Sequence, residues 1–376
     1  MAARNKPGNG SRNNDMNSAR YNPLKLSGTD LPSHLLLMVK LLTLALIGKG
    51  YIQHLPQPFL PFLPVFDHIH GVLFQITLKT SFIIAALLLF TNQKVRLSCF
   101  VLGSVFLLGT LSSKTYYSNA KFFCGLIYIL TALSESKGRP WLIHGQLIIM
   151  YFGSGINKVL DIDWRTGQYF DHWMIHVIHA KSYELLADLS SHEFISKMLS
   201  WKTMIIEIVV LPVTLFFRKW QAVGVWIGIV FHSLAFWMSG LSFGVFMAAA
   251  LISYLAFAPD SPRVYVHGLG DSLLARVLKS ILRAFDVDER FIFSEEKDGQ
   301  DSTGVNIKLL SENGWLTRLN QWRLLAIYHP LTYILLTVFF SITFLPNIFQ
   351  HLATMACLIL FFPFYGAFKG FSGKVN

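Results

Sequence analysis

The chain has 376 residues, 53% of them hydrophobic and only 14% charged, with a mean hydropathy of +0.47. A soluble domain carries roughly a quarter charged residues, so composition excludes a soluble enzyme and indicates a polytopic membrane protein. The net charge of +11 lies in short stretches between apolar runs, which reads as membrane topology and contact with membrane lipids, not as nucleic-acid binding.

Residues 1–30 are polar and rich in Asn, Ser and Gly, which predicts a disordered cytoplasmic tail. Apolar runs follow at about 31–48, 71–91, 97–112, 122–134, 141–158, 202–217, 221–240, 243–258, 331–346 and 349–366. The expected fold class is an all-α polytopic membrane protein, a helical bundle of about ten transmembrane segments with short interfacial helices. Basic residues set its orientation. Arg4, Lys6, Arg12, Arg20 and Lys25, then Lys94 and Arg96, Lys137 and Arg139, Arg218 and Lys219, and Lys369 and Lys374 fall on one side. The opposite loops hold little beyond Lys49, Lys114 and Lys121. The expected localisation is integral membrane, multi-pass, with N- and C-termini cytoplasmic. Cys99, Cys124 and Cys357 each stand alone inside an apolar run, without disulfide or zinc spacing.

Two stretches read as non-spanning. The outer loop 159–200 predicts one or two short helices lying on the membrane. In it His172, His176 and His179 share a helical face. That spacing can present imidazoles to a metal, but no cysteine or metalloprotease carboxylate accompanies it. A wet interfacial helix anchored by Trp173 is the preferred reading, and no metal is expected. Asp67, His68 and His70, also on the outer side, are similarly ambiguous. Residues 259–330 form a cytoplasmic amphipathic and loop segment, followed by a C-terminal membrane hairpin and basic tail over 331–376. Within it Leu273, Leu274, Val277, Leu278, Ile281, Leu282 and Phe285 recur at helical spacing, opposite Arg276, Lys279 and Arg283, as in an interfacial helix. The acidic stretch that follows predicts a surface loop with a small hairpin.

Ionisable residues inside a bilayer are costly and tend to mark sites. Lys158 ends the fifth segment and shares a helical face with Ser154 and Tyr151, while Asn157 lines up with Gly153 and Gln146. Glu207 lies in a segment that Pro212 is expected to kink. His232 follows Gly224 and Gly228 on one stripe, a packing face that turns it into the bundle. Rise per residue sets Glu207 and His232 at roughly the same depth, about 10 Å below the outer surface. The three residues form either a site or structural glue, with Lys158 snorkelling and Glu207 paired to it or to His232. Lys40 falls near mid-membrane without an evident partner.

The run "YFGSGINKVLDIDWRTGQYF" resembles the signature of the vitamin K-dependent gamma-carboxylase superfamily, whose membrane part is the HTTM domain. Tyr151, Phe152, Gly155, Lys158, Asp163, Trp164 and Gly167 meet its pattern. Glu207 after Trp201, and the Phe-His pair ending at His232, are similar to two later marks, so the resemblance covers about 30–260. It implies an HTTM-like membrane domain over 31–258. It also implies a base at Lys158, with Asn119, Tyr151, Asn157, Trp164, Glu207 and His232 shaping the pocket. The matching chemistry uses vitamin K hydroquinone or another membrane quinone, with O2 and CO2, and needs no metal. A lysine serves as a base near neutral pH only where burial favours its neutral form. Where the carboxylases carry a histidine beside paired asparagines, this chain has Ala120 after Asn119. Two functions are therefore expected: a quinone-using carboxylase-like or oxidoreductase-like enzyme, or a non-enzymatic membrane factor for maturation, binding or immunity of an exported peptide. A separate extramembrane partner protein fits either.

Overall fold

A computed structural model describes residues 24–341, apart from 27, 137, 189, 239–243, 258–262, 270–271, 287–289, 295–304 and 310–313. Residues 1–23 of the expected tail, the segment 349–366 and Cys357 lie outside the described residues. Helices occupy the described parts of the other nine apolar segments. They are α1 (Ser33–Gly48), α2 (Gly71–Phe90), α3 (Val95–Ser112), α4 (Asn119–Leu133) and α5 (Trp141–Leu160). After α5 come α6 (Ile162–Thr166), α7 (Gln168–His172), a π turn at Trp173–Val177, and α8 (Lys181–Ala187). Then α9 (His192–Ile205) runs through a second π turn (Ile206–Val210) into α10 (Leu211–Phe216), followed by α11 (Gln221–Met238) and α12 (Gly244–Ser253).

Among the described residues, four helical runs are long and apolar enough to cross a membrane: 71–90, 95–112, 192–216 and 218–238. α5 has the length, 20 residues, but His144, Gln146, Asn157 and Lys158 interrupt its apolar sequence. At one end of the bundle the α1–α2 loop lies on the α3–α4 loop, where the Phe59 amide donates to the Ser112 carbonyl at 3.0 Å. The last turn of α5, which carries Lys158, is on that side too.

At the opposite end, part of the expected tail is folded. Leu26 of that tail is buried in the main core, as is Leu31 just after it. Lys40 is not without partners: its ammonium donates to the Lys25 carbonyl at 2.9 Å and to Asn92 Oδ1 at 2.7 Å. Asn92 stands just past α2 with a φ of 60°, and the Gln93 amide reaches back to the Leu88 carbonyl, the hydrogen-bond pattern that closes a helix through a left-handed residue. Arg96 then ties Asp30 to the carbonyls of Ala132 and Ser134, closing the end of α4. Asn92→Gly keeps the left-handed turn and deletes the amide. It is expected to lower stability by about 1.5–3 kcal/mol, the range for a hydrogen bond to a charged group. Asn92→Asp should retain most of it, both read as unfolding midpoints in detergent.

The outer loop differs from expectation. The one or two short helices expected there are several, packed together as a small unit. Phe170, Met174, Tyr183, Ala187 and Ile195 are buried together against Met238 of α11. α9 starts at His192, ten residues earlier than the apolar run, because Ser191 Oγ accepts from the Phe194 amide and caps it. Within this unit Tyr183 donates to Asp171 Oδ1 at 2.5 Å, and His192 Nδ1 is 3.3 Å from the same oxygen. Burial raises the Tyr183 pKa and the Asp171 carboxylate raises it further, so the hydroxyl stays a donor.

Most of the acidic stretch in which a small hairpin is expected, 287–289 and 295–304, lies outside the described residues. A three-stranded parallel sheet is found, β1 (Val264–His267), β2 (Phe291–Ser294) and β3 (Val305–Lys308), in the order β2-β1-β3. Parallel pairing needs a crossover, and α13 (Leu273–Phe285) supplies it between β1 and β2. α14 (Gly314–Tyr328) and α15 (Pro330–Ser341) follow, meeting at a sharp bend of 77°. Counted as one broken span, they would be a fifth crossing. Tyr333, Ile334, Leu336 and Phe339 of α15 pack on the main core.

Candidate functional site

The site is built on α5. Lys158, Ser154 and Tyr151 lie along one face, as their spacing predicts. Lys158 Nζ donates to Ser154 Oγ at 2.6 Å and forms an ion pair with Glu207 Oε2 at 2.5 Å, the side chains being 16% and 10% exposed. The indole of Trp164 covers the ammonium, 5.2 Å from Nζ to the ring centroid. Trp164 is held in turn by stacking on Tyr169, with centroids 5.0 Å apart. A cation facing an indole ring gains a further favourable interaction.

Two backbone features set this geometry. Pro212 has no amide to give, and just before it the helix widens, so that the Leu211 amide reaches the Ile206 carbonyl five residues back. Pro212 thus stands at the end of a π turn that contains Glu207. Gly155 lets α5 approach that turn: a Cβ there would stand 2.4 Å from Ile208 Cγ1 and 3.0 Å from the Ile208 amide nitrogen. Gly153, in contrast, meets nothing within 4 Å. Of the two glycines in "GSG", only the second makes a close approach. Gly167, with φ +84° and its α-carbon against the backbone of Lys197, turns the chain from α6 into α7. Trp201 Nε1 donates to the Arg165 carbonyl at 3.1 Å and ties α9 to this corner.

About two turns along α5 from Lys158 lies a second polar group. Tyr151 OH is 2.5 Å from His232 Nε2 and 2.5 Å from Tyr254 OH, while His232 Nδ1 is 3.1 Å from Met247 Sδ. A thioether only accepts, so Nδ1 carries the hydrogen. Nε2 then accepts from Tyr151, and Tyr151 oxygen accepts from Tyr254. The three depth-matched residues of the sequence thus fall into two groups, Lys158–Glu207 above and His232 with its tyrosines below, joined by one face of α5. Tyr254 was not legible from spacing; its signal was a lone tyrosine in an apolar run, whose hydroxyl needs a partner when buried. That hydroxyl fills the place of a side chain on Gly228, where a Cβ would stand 1.9 Å away. Gly228→Ala should therefore expel the Tyr254 hydroxyl and cost about 1–3 kcal/mol by overpacking. Gly228→Ala/Tyr254→Phe should recover part of this in thermal unfolding.

Comparison of the chain with family models, curated proteins and solved structures gives no match.

The remaining expected residues are not drawn into this site. Asn157 is exposed. Asn119 is exposed at the start of α4, its Oδ1 accepting from Tyr117 OH at 2.9 Å. Ala120 is half-buried beside it. The rings of His172 and His176 come within 5.0 Å, but His179 lies past the π turn with φ 56°. Among the described residues no three His, Cys, Asp or Glu side chains are grouped to hold a metal.

Proposed function

We propose that this chain is an HTTM-type integral membrane protein of about ten spans, with cytoplasmic termini. On this reading the Lys158–Glu207 pair is a proton-accepting site for a lipid-soluble acid of the hydroquinone class at the outer leaflet. The observation that carries it is the shared position of a lysine and a glutamate, shielded by Trp164 and presented by a π turn. Such irregular turns are frequent at functional sites. The pair holds one proton between Nζ and Oε2. When Oε2 holds it, Nζ has a free lone pair to take a substrate O–H proton. The resulting ammonium then stands beside the substrate anion. Ile205 and Val209, exposed on the same helical run as Glu207, are positioned to meet lipid. A bound quinone supplies the redox chemistry that amino-acid side chains lack.

The non-enzymatic reading keeps one specific observation in its favour. Lys158 is already satisfied by Ser154, Glu207 and Trp164, as a structural anchor would be, and Ala120 supplies no imidazole. The test uses the full chain in liposomes with vitamin K hydroquinone and menaquinol, following oxygen uptake and quinone products. Lys158→Gln is expected to lower turnover about 10²–10⁴-fold, the usual contribution of a positioned base, while the protein stays folded. Unchanged turnover, or no turnover with any quinol in the wild type, overturns the enzymatic reading.

A further inference from the structure

The sheet and its flanking helices have a surface that the bundle does not use. Viewed down α13, the apolar residues divide into two adjacent arcs. Leu278 and Leu282 pack with Val264, Val266, Phe291 and Ile307 to form the core of the small unit. Leu273, Leu274, Val277 and Ile281 lie beside them within an arc of about 100°, and are 72%, 79%, 49% and 43% exposed. A helix needs one apolar arc to cover a sheet; this one has a second, of four large aliphatic side chains, pointing outward. Arg276 borders the free arc, with exposed Arg283 and half-buried Lys279 beyond it.

The position of the helix says what it faces. His329 sits at the 77° bend, at the entry to α15, and its Nε2 is 2.9 Å from the Leu282 carbonyl of α13. α15 belongs to the apolar bundle, and Arg323, one turn and a half before the bend, lies over Trp226 of α11 at 5.4 Å. The α13 backbone is therefore fastened at the level where a bundle helix begins, which is where headgroups lie. We infer that α13 docks on the bilayer that holds the bundle, with Leu273, Leu274, Val277 and Ile281 entering the acyl boundary. Arg276 and Arg283 meet anionic headgroups, and Lys279 lies on the far side of the helix. Apolar side chains with a basic flank are the chemistry of an anionic lipid surface, and the four leave no polar group to recruit a soluble partner.

The experiment uses the full chain in nanodiscs, with Cys99, Cys124 and Cys357 replaced by Ala and one environment-sensitive fluorophore placed at Val277→Cys, Ile281→Cys or Lys279→Cys. At 277 and 281 nitroxide-bearing lipids are expected to quench at least about threefold more than aqueous iodide, the pattern for side chains inside the interface. The order should reverse at 279. Omitting anionic lipid should weaken the lipid quenching; quenching that does not change overturns the headgroup contact. Iodide quenching at 277 and 281 equal to that at 279 overturns the docking. So does protection from both quenchers, which would mean a protein, a second copy included, covers the arc.

Discussion

Lys158→Met is expected to destabilise the folded protein by about 3 kcal/mol, the lower end of the range for stripping one partner from a buried ion pair. The figure is at the lower end because the pair keeps some water contact: Lys158 is 16% exposed and Glu207 10%. The loss comes from Glu207, left as a carboxylate with no counter-charge between α5 and the π turn. Lys158→Met/Glu207→Leu removes that uncompensated group and should recover most of the unfolding midpoint, because apolar replacement of a whole pair is often neutral. Turnover of a quinol should remain absent in the double variant. If the double variant is as unstable as the single one, the cost lies in packing around α5 and the ion pair is not its source. If it regains activity, Lys158 is no base.

Gly155→Val should be at least as damaging to the fold, by about 3 kcal/mol or more, at or beyond the usual overpacking range. The obstruction is partly main chain: a Cβ at 155 would meet the Ile208 amide nitrogen at 3.0 Å as well as Ile208 Cγ1 at 2.4 Å and Glu207 Cβ at 3.1 Å. A side chain can rotate away, whereas the backbone of the π turn moves only with α9 and α10. Two residues earlier the sign should change. Gly153→Ala enters open space on a helix and is expected to stabilise by about 0.5–1 kcal/mol through backbone entropy. Opposite shifts in unfolding midpoint from the two substitutions would confirm which glycine makes the contact; equal shifts would contradict the packing described.

Much of α5 was legible because its information is local. A 3.6-residue repeat places Tyr151, Ser154 and Lys158 on one face whatever surrounds them, and Gly224 and Gly228 gave the inward face of α11 in the same way. Partners across the chain were harder to read. Glu207 had two candidate partners at the same depth, and only the π turn decides that it meets Lys158 while His232 goes to Tyr151. Lys40 looked solitary because its acceptors, Lys25 and Asn92, belong to a segment read as a tail and to a turn. The sheet was missed for a similar reason. Strands of four residues give almost no alternation, and parallel partners lie a helix apart. The apolar spacing of α13 was visible, but the division of its apolar side into two arcs depends on where the sheet sits.

The π turn at Ile206–Val210 has a mechanical consequence. One extra residue in a turn offsets the helix before it from the helix after it by about 100° of rotation. α9 and α10 behave as a shaft with a fixed gear offset: α10 and Pro212 are seated in the bundle, and α9 carries Trp201, which ties down the corner of α6 that holds Trp164 over Lys158. Deleting a single residue between 206 and 210 would remove the offset and turn α9 on its axis. Trp201 would leave Arg165 and the corner that holds Trp164 would be undone. The cover over the lysine is thus keyed to the length of the chain at this one place, and insertions or deletions here should be far less tolerated than substitutions.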